Sequence, residues 1–115
     1  MQAQSITKNV RMSAQKMREV VRQIQGLPAL RAQAVLAVVP RKSARFVAKT
    51  LKSAIANAED LARRDNYQLK TEDLKVREAV AGTATTLKRF TPKARGSAGP
   101  MLKRSCHIKI VLSDD

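Results

Sequence analysis

The sequence predicts an α+β fold, and three observations lead there. Apolar residues recur at helical spacing in three stretches, the last ending near Arg64. In three shorter stretches, one at the start and two in the second half, they alternate with polar residues as strands require. Between the last two of these lies "LKRFTPKARGSAGPMLKR" (87–104), with six Lys or Arg, two Pro, two Gly and no acid, which follows neither period. At 115 residues a single domain, 1–115, is expected. Its core must be made of small pieces, because there is no Trp, one Tyr and two Phe, but much Ala.

The elements follow in order. "ITKNVRM" alternates well enough for a short strand with Ile6, Val10 and Met12 on one face. Ser13 is placed to cap a helix, its side-chain oxygen accepting a first-turn N–H. Met17, Val20, Val21 and Ile24 then form one helical stripe, with Lys16, Arg18 and Arg22 largely outside it. Gly26 suits the left-handed position that closes this helix, and Pro28 suits the first turn of the next. That second helix should run to about Val39 and stop at Pro40. A third, from about Ser43 to Arg64, buries Val47, Leu51, Ala54, Ile55, Ala58, Leu61 and Ala62, and ends on Arg63 and Arg64, which suit the negative end of its dipole. After the connector "RDNYQ", Leu74, Val76 and Val80 alternate with Lys75 and Arg77. Cys106, Ile108, Ile110 and Leu112 later alternate with His107 and Lys109.

The residues alone leave 87–104 open between a loose loop and a hairpin extended beyond the body. A structureless loop of that length is uncommon in a compact domain. It reads as a protruding arm, with Phe90, Pro92 and Met101 too few to make a core, that takes its fixed shape against a partner.

Charge points to that partner. Lys and Arg number 23 against nine acids, for a formal +14. No acid occurs from Ala79 to Ser113, and a second acid-free block from Val20 to Ala58 holds Arg22, Arg31, Arg41, Lys42, Arg45, Lys49 and Lys52. A contact spanning both blocks calls for an extended polyanion, and nucleic acid is favoured over a solvated surface. A membrane partner is disfavoured, because "AVLAVVP" falls far short of the roughly 20 residues of a span. No helix-turn-helix, zinc finger, basic zipper or RNA-recognition aromatic pair is legible, which leaves phosphate and shape recognition. An arm with Pro and Gly fits between the helices of a folded RNA better than along smooth duplex DNA.

Catalysis finds no support. On a strand, Cys106 and His107 point to opposite faces and form no dyad. Glu59–Asp60 and Glu72–Asp73 are neighbours suited to solvent, and Gly26, Gly82, Gly96 and Gly99 match no phosphate loop. One Cys and one His make no zinc cluster, so no catalytic residue, metal or cofactor is expected. The lone Cys106 and the absence of an apolar leader in "MQAQSITKNV" suggest the cytoplasm.

The pieces "RMSAQKMREVV", "IQGLP", "VAKTLKSAIANAE", "DLKV", "LKRFTPKARGSA" and "LKRSCHIKIVLSD" carry a resemblance. In order and spacing the chain resembles the bacterial large-subunit ribosomal protein twenty-two family over essentially its whole length. The resemblance implies three helices packed on a small three-stranded antiparallel sheet, with a long protruding β-hairpin over 82–104. It implies a structural constituent of the large ribosomal subunit that binds 23S ribosomal RNA and helps its assembly. Its partners would be that RNA, neighbouring large-subunit proteins and the nascent peptide, with no homo-oligomer expected. Arg11, Ser13, Lys16 and Arg18 match the family's RNA-facing start of the first helix, and Arg22 follows on the same helix. Asn57 matches a helix position that either bonds RNA or ties helix to sheet. Lys88, Arg89, Phe90, Thr91, Pro92, Lys93, Ala94, Arg95 and Gly96 match the tip that lines the peptide tunnel, and Lys103, Arg104 and His107 match the returning strand.

Two departures stand out. "AGTAT" (81–85) replaces the family's acidic residue followed by Gly and Pro at the start of the hairpin, and Gly82 is expected to supply a turn or bulge at a shifted position. Ser97 and Gly99 stand where many members have a base and an acid, so a more flexible tip with one phosphate contact fewer is expected. The rival readings are an architectural DNA-binding protein with its arm in a minor groove, for which Pro92 and Pro100 speak, and an RNA chaperone working off the ribosome.

Overall fold

The computed structural model describes residues 1–114. In chain order it comprises β1 (Gln2–Val10), α1 (Ala14–Ile24), α2 (Ala29–Val38), α3 (Lys42–Arg64), β2 (Lys75–Thr83), β3 (Leu87–Pro92), β4 (Ala98–Lys103) and β5 (Cys106–Ser113). β1, β5 and β2 make a three-stranded antiparallel sheet in that spatial order, while β3 and β4 pair antiparallel in a sheet of their own. The fold is therefore α+β, with α1 lying on β2, α3 on β1 and β5, and α2 on α3.

Helical periodicity explains the layer under the sheet. Met17, Val20, Val21 and Ile24 of α1 are buried, as are Val47, Leu51, Ala54, Ile55, Ala58 and Ala62 of α3. They meet Cys106, Ile108, Ile110 and Leu112 of β5, all fully buried. Alanines at the contacts let helix and sheet approach closely, so the core closes without a large aromatic. α1 begins where Ser13 Oγ accepts the Lys16 N–H at 3.4 Å. It ends at Gln25, which turns extended (ψ 130°), and Gly26 at φ 79° is not a helix cap as expected but the third residue of a tight turn closed by Leu27 N–H to Ile24 O at 3.3 Å.

The two outer strands differ from the expected alternation, for one physical reason. In β1 the register with β5 shifts between Thr7 and Val10, where Asn9 adopts φ 58°. Ala3 and Ser5 face the helices, Ile6 faces outward and is 47% exposed, and Val10 turns in only beyond the bulge. Ile6 and Val10 thus lie on opposite faces, a correction to the expected single face. In β2 the register shifts between Val76 and Glu78. Val76, Ala79 and Ala81 are consequently buried, while Val80 points out and is 41% exposed. One extra residue per strand reverses the phase of everything after it.

The free edge of β2 is covered by local chain. Gly26 N–H donates to Val76 O at 3.0 Å, Val76 N–H to Leu27 O at 2.8 Å, and Ala29 N–H to Leu74 O at 2.8 Å. Farther along, Gln25 Nε2 donates to Ala79 O at 2.6 Å and Arg18 Nε to Ala81 O at 3.0 Å. These bonds from 18–29 occupy an edge that would otherwise invite strand addition.

The core ladder reaches Gly82, opposite His107, and Thr83, opposite Cys106. Gly82 is a plain strand residue, so it supplies no bulge; the irregularity of β2 lies at Val76–Glu78 instead. After an Ala84 N–H bond to Ser105 O at 3.1 Å the two chains leave the sheet and pair again as β3 and β4. The molecule is elongated, 67 × 27 × 16 Å.

Candidate nucleic-acid interface

Every Lys and Arg except the half-buried Lys109 is exposed. Among the described residues only two meet an acid: Arg41 Nη1 lies 2.9 Å from Glu19 and Arg64 Nη2 3.1 Å from Asp60. Both pairs are open to solvent and add little stability. The first turns of α1, α2 and α3 contain no acid, and α1 and α3 place Lys16, Lys42 and Arg45 there. Cations at the positive end of a helix dipole are unfavourable in isolation. A surface built this way is stabilised by an external anion.

The expected residues divide into three groups. Ser13, Arg18 and Arg104 converge at the root of the arm, where with Gln15, Thr83, Thr86 and Ser105 they line a cavity of about 360 Å³. Arg18 is oriented there by its Nε bond to Ala81 O. Its guanidinium and that of Arg104 supply charge, and hydroxyls surround them, which is a fitting composition for a phosphate. Arg22 continues along α1 beside a smaller groove shared with Arg18, Val21, Gln25 and Ala79–Ala81. Arg11 and Lys16 are exposed but do not line either depression. Thr83, Thr86 and Ser105 are not legible as site residues in the sequence, because they are ordinary strand-end residues until α1 is packed beside them.

The second group has work inside the fold. Asn57 Nδ2 donates to Gln4 O at 2.9 Å, tying α3 to β1. His107 Nδ1 accepts the Asn9 N–H at 3.1 Å, which fixes the bulge of β1. The neighbouring Cys106 is buried on the opposite face, and burial pushes its thiol pKa up.

The arm is the third group. Lys88, Arg89, Phe90, Thr91 and Pro92 lie in β3, Lys103 at the end of β4, and Lys93, Ala94, Arg95 and Gly96 in the turn. Lys93 N–H donates to Ser97 O at 2.6 Å and Ser97 Oγ–H to Ala94 O at 2.9 Å. Arg95 (φ 61°) and Gly96 (φ 72°) take the left-handed conformation that reverses the chain. Ser97, where a base is the family expectation, thus closes the turn. A Cβ on Gly99 would fall 2.5 Å from Lys93 Cε, so the lysine stem lies across that glycine.

Fold and surface together define a class: a small, strongly basic α+β domain carrying part of its charge on a hairpin arm. The family model for ribosomal protein L22p/L17e matches residues 5–113, and the chain belongs to that family. It is 49% identical over 114 residues to the large ribosomal subunit protein uL22 of Opitutus terrae, covering 99% of this chain and 96% of the relative. The uL22 proteins of Finegoldia magna and Methylacidiphilum infernorum are each 44% identical over 114 residues, with 99% of this chain covered and 97% and 96% of the relatives. The family is one of structural, non-enzymatic components of the ribosome.

Proposed function

We propose that this chain, by its family a structural constituent of the cytoplasmic large ribosomal subunit, binds 23S ribosomal RNA through both acid-free cationic blocks. It helps that RNA assemble and lines the nascent-peptide tunnel with the tip of its arm. One observation carries the reading. The arm holds Lys88, Arg89, Lys93, Arg95, Lys103 and Arg104 without an acid, outside the core, on a hairpin that pairs only with itself. Like charges gathered on so thin a support repel unless phosphates neutralise them.

Roles follow from position. Arg11, just before α1, and Lys16 and Arg22 on it anchor the body, and Arg18 with Arg104 takes a phosphate at the arm root. Lys88, Arg89, Lys93 and Lys103 line the arm's path through RNA, and 88–96 meets the tunnel and the peptide in it. Asn57 and His107 act through the shape of β1 and α3. Neighbouring large-subunit proteins meet the remaining body surface.

A single tip thiol tests this. Cys106 is buried, so in an Arg95→Cys variant the new cysteine is the one that takes a photoactivatable thiol probe. In large subunits carrying it, crosslinks to 23S RNA and to a stalled nascent peptide are expected. Crosslinks confined to proteins of the outer surface would contradict tunnel lining.

A further inference from the structure

The register of the arm gives it two chemically different faces. Directly opposed residues of an antiparallel pair share a face, and successive residues alternate. Lys88 is opposite Leu102, Phe90 opposite Pro100, and Pro92 opposite Ala98. One face is therefore Leu102, Phe90, Pro100, Pro92 and Ala98, with Lys88 as its single cation. The other holds Arg89 and Lys103 beside Leu87, Met101 and Thr91, and Lys93 folds onto it across Gly99. Charge is gathered on one side of the hairpin, and a flat apolar surface is left on the other.

Phe90 stands in the middle of that apolar face and is 79% exposed, the most exposed aromatic residue of the chain. Phe46, by contrast, is packed against the core. Proline on each strand removes ladder donors, which disfavours an extended peptide adding to either edge. The opposite face and Lys88 suit a polyanion. A hairpin is only about 10 Å through, so an RNA strand that meets Arg89 and Lys103 with its phosphates can turn a base toward Phe90. Unpaired bases are held on aromatic rings in this manner, and a ring between two prolines is a rigid support for one.

We propose that Phe90 is a stacking platform for an unpaired nucleobase of the RNA around the arm, flanked by Pro92 and Pro100, with Lys88 taking the adjoining phosphate. The inference rests on the RNA-binding reading above and adds the chemistry of one contact to it.

The chain has no Trp, so Phe90→Trp makes a protein with a single indole at the site. Titrated with a 23S RNA transcript, its emission should fall about twofold or more, because a stacked base quenches indole. A Met101→Trp variant, with its indole on the cationic face, should lose much less. Phe90→Leu should bind roughly tenfold more weakly, while Phe90→Tyr stays within about twofold of the unmodified protein. Filter binding of the unmodified protein is read alongside. Retention of RNA by Phe90→Trp with its indole unquenched, or by Phe90→Leu at full affinity, overturns the stacking platform alone and leaves the apolar face to a protein surface. No retention by the unmodified protein overturns the RNA reading and the platform together.

Discussion

Arg18 and Arg104 share one cavity, but their attachments predict different phenotypes. Arg18 donates through Nε to Ala81 O at 3.0 Å, a part-buried bond that holds α1 against the edge of β2. Arg104 follows the end of β4 and is exposed, outside the core. In Arg18→Gln one net hydrogen bond is lost, about 1 kcal/mol. At ~2.1 cal/mol/K per residue the unfolding entropy of a 115-residue chain is about 0.24 kcal/mol/K, so the melting temperature should fall by about 4 °C. Arg104→Gln should melt as the unmodified protein does. Both should reduce the dependence of log affinity for 23S RNA on log salt by about 1, as one lost phosphate contact does. Circular-dichroism melts of the free proteins and filter binding over a salt series supply the two readings. Equal melting temperatures with a lowered slope only for Arg104→Gln would refute the double role of Arg18. Unchanged slopes in both variants would refute the phosphate site at the arm root.

Other outcomes follow from the core and the termini. Met17 of α1 is fully buried in the core shared with α3 and the sheet, so Met17→Ala should destabilise the domain by about 2–5 kcal/mol in urea titration. The Cys106 thiol, buried and with its pKa raised, should resist iodoacetamide at neutral pH in the folded protein and react promptly in denaturant. Asp114 accepts from Tyr67 Oη–H at 2.6 Å and from the Met1 ammonium at 3.1 Å, and these bonds hold its carboxyl below the usual carboxylate range. A depressed folded pKa means stability present above the unfolded value and lost as pH falls through the folded one. Asp114→Asn should therefore be less stable than the unmodified protein at neutral pH and lose less of its stability on acidification, as acid titration followed by circular dichroism would record.

What the sequence reveals depends on whether its period is interrupted. α1 and α3 run without a break, so their buried faces follow from spacing alone, and so does β5, which pairs with a strand on each side. β1 and β2 each carry a bulge, and a bulge leaves little trace in composition. Asn9, tolerant of a left-handed backbone, is the one local hint. Spacing alone therefore assigns Ile6 and Val80 inward, although the side chains that face the helices are the small Ala3, Ser5, Ala79 and Ala81. The cationic character of the arm is plain from its residues. Its two faces are not, because prolines and lysines at alternate positions resemble no familiar strand until Phe90 is known to oppose Pro100. Asn57 and His107 are singled out in the sequence by resemblance alone, and which of their atoms the fold already uses is a matter of tertiary distance that no spacing encodes.

The departures at the hairpin root and tip have local answers. The chain needs no turn at Gly82, since β2 simply runs on to Thr83 before the arm leaves the sheet. At the tip, the Ser97 hydroxyl bonds Ala94 O. The turn keeps its shape through backbone bonds and through Arg95 and Gly96, and cationic charge is carried by Lys93 and Arg95 on either side of Ala94.

The central claim is that this basic domain is held in the large subunit by RNA. It is tested most directly by sedimenting extract on a sucrose gradient after a high-salt wash and following the chain across the fractions. Retention with 23S RNA in the large-subunit peak, in equimolar amount, is the predicted result. Release to the top of the gradient, or movement with chromosomal DNA, would contradict it.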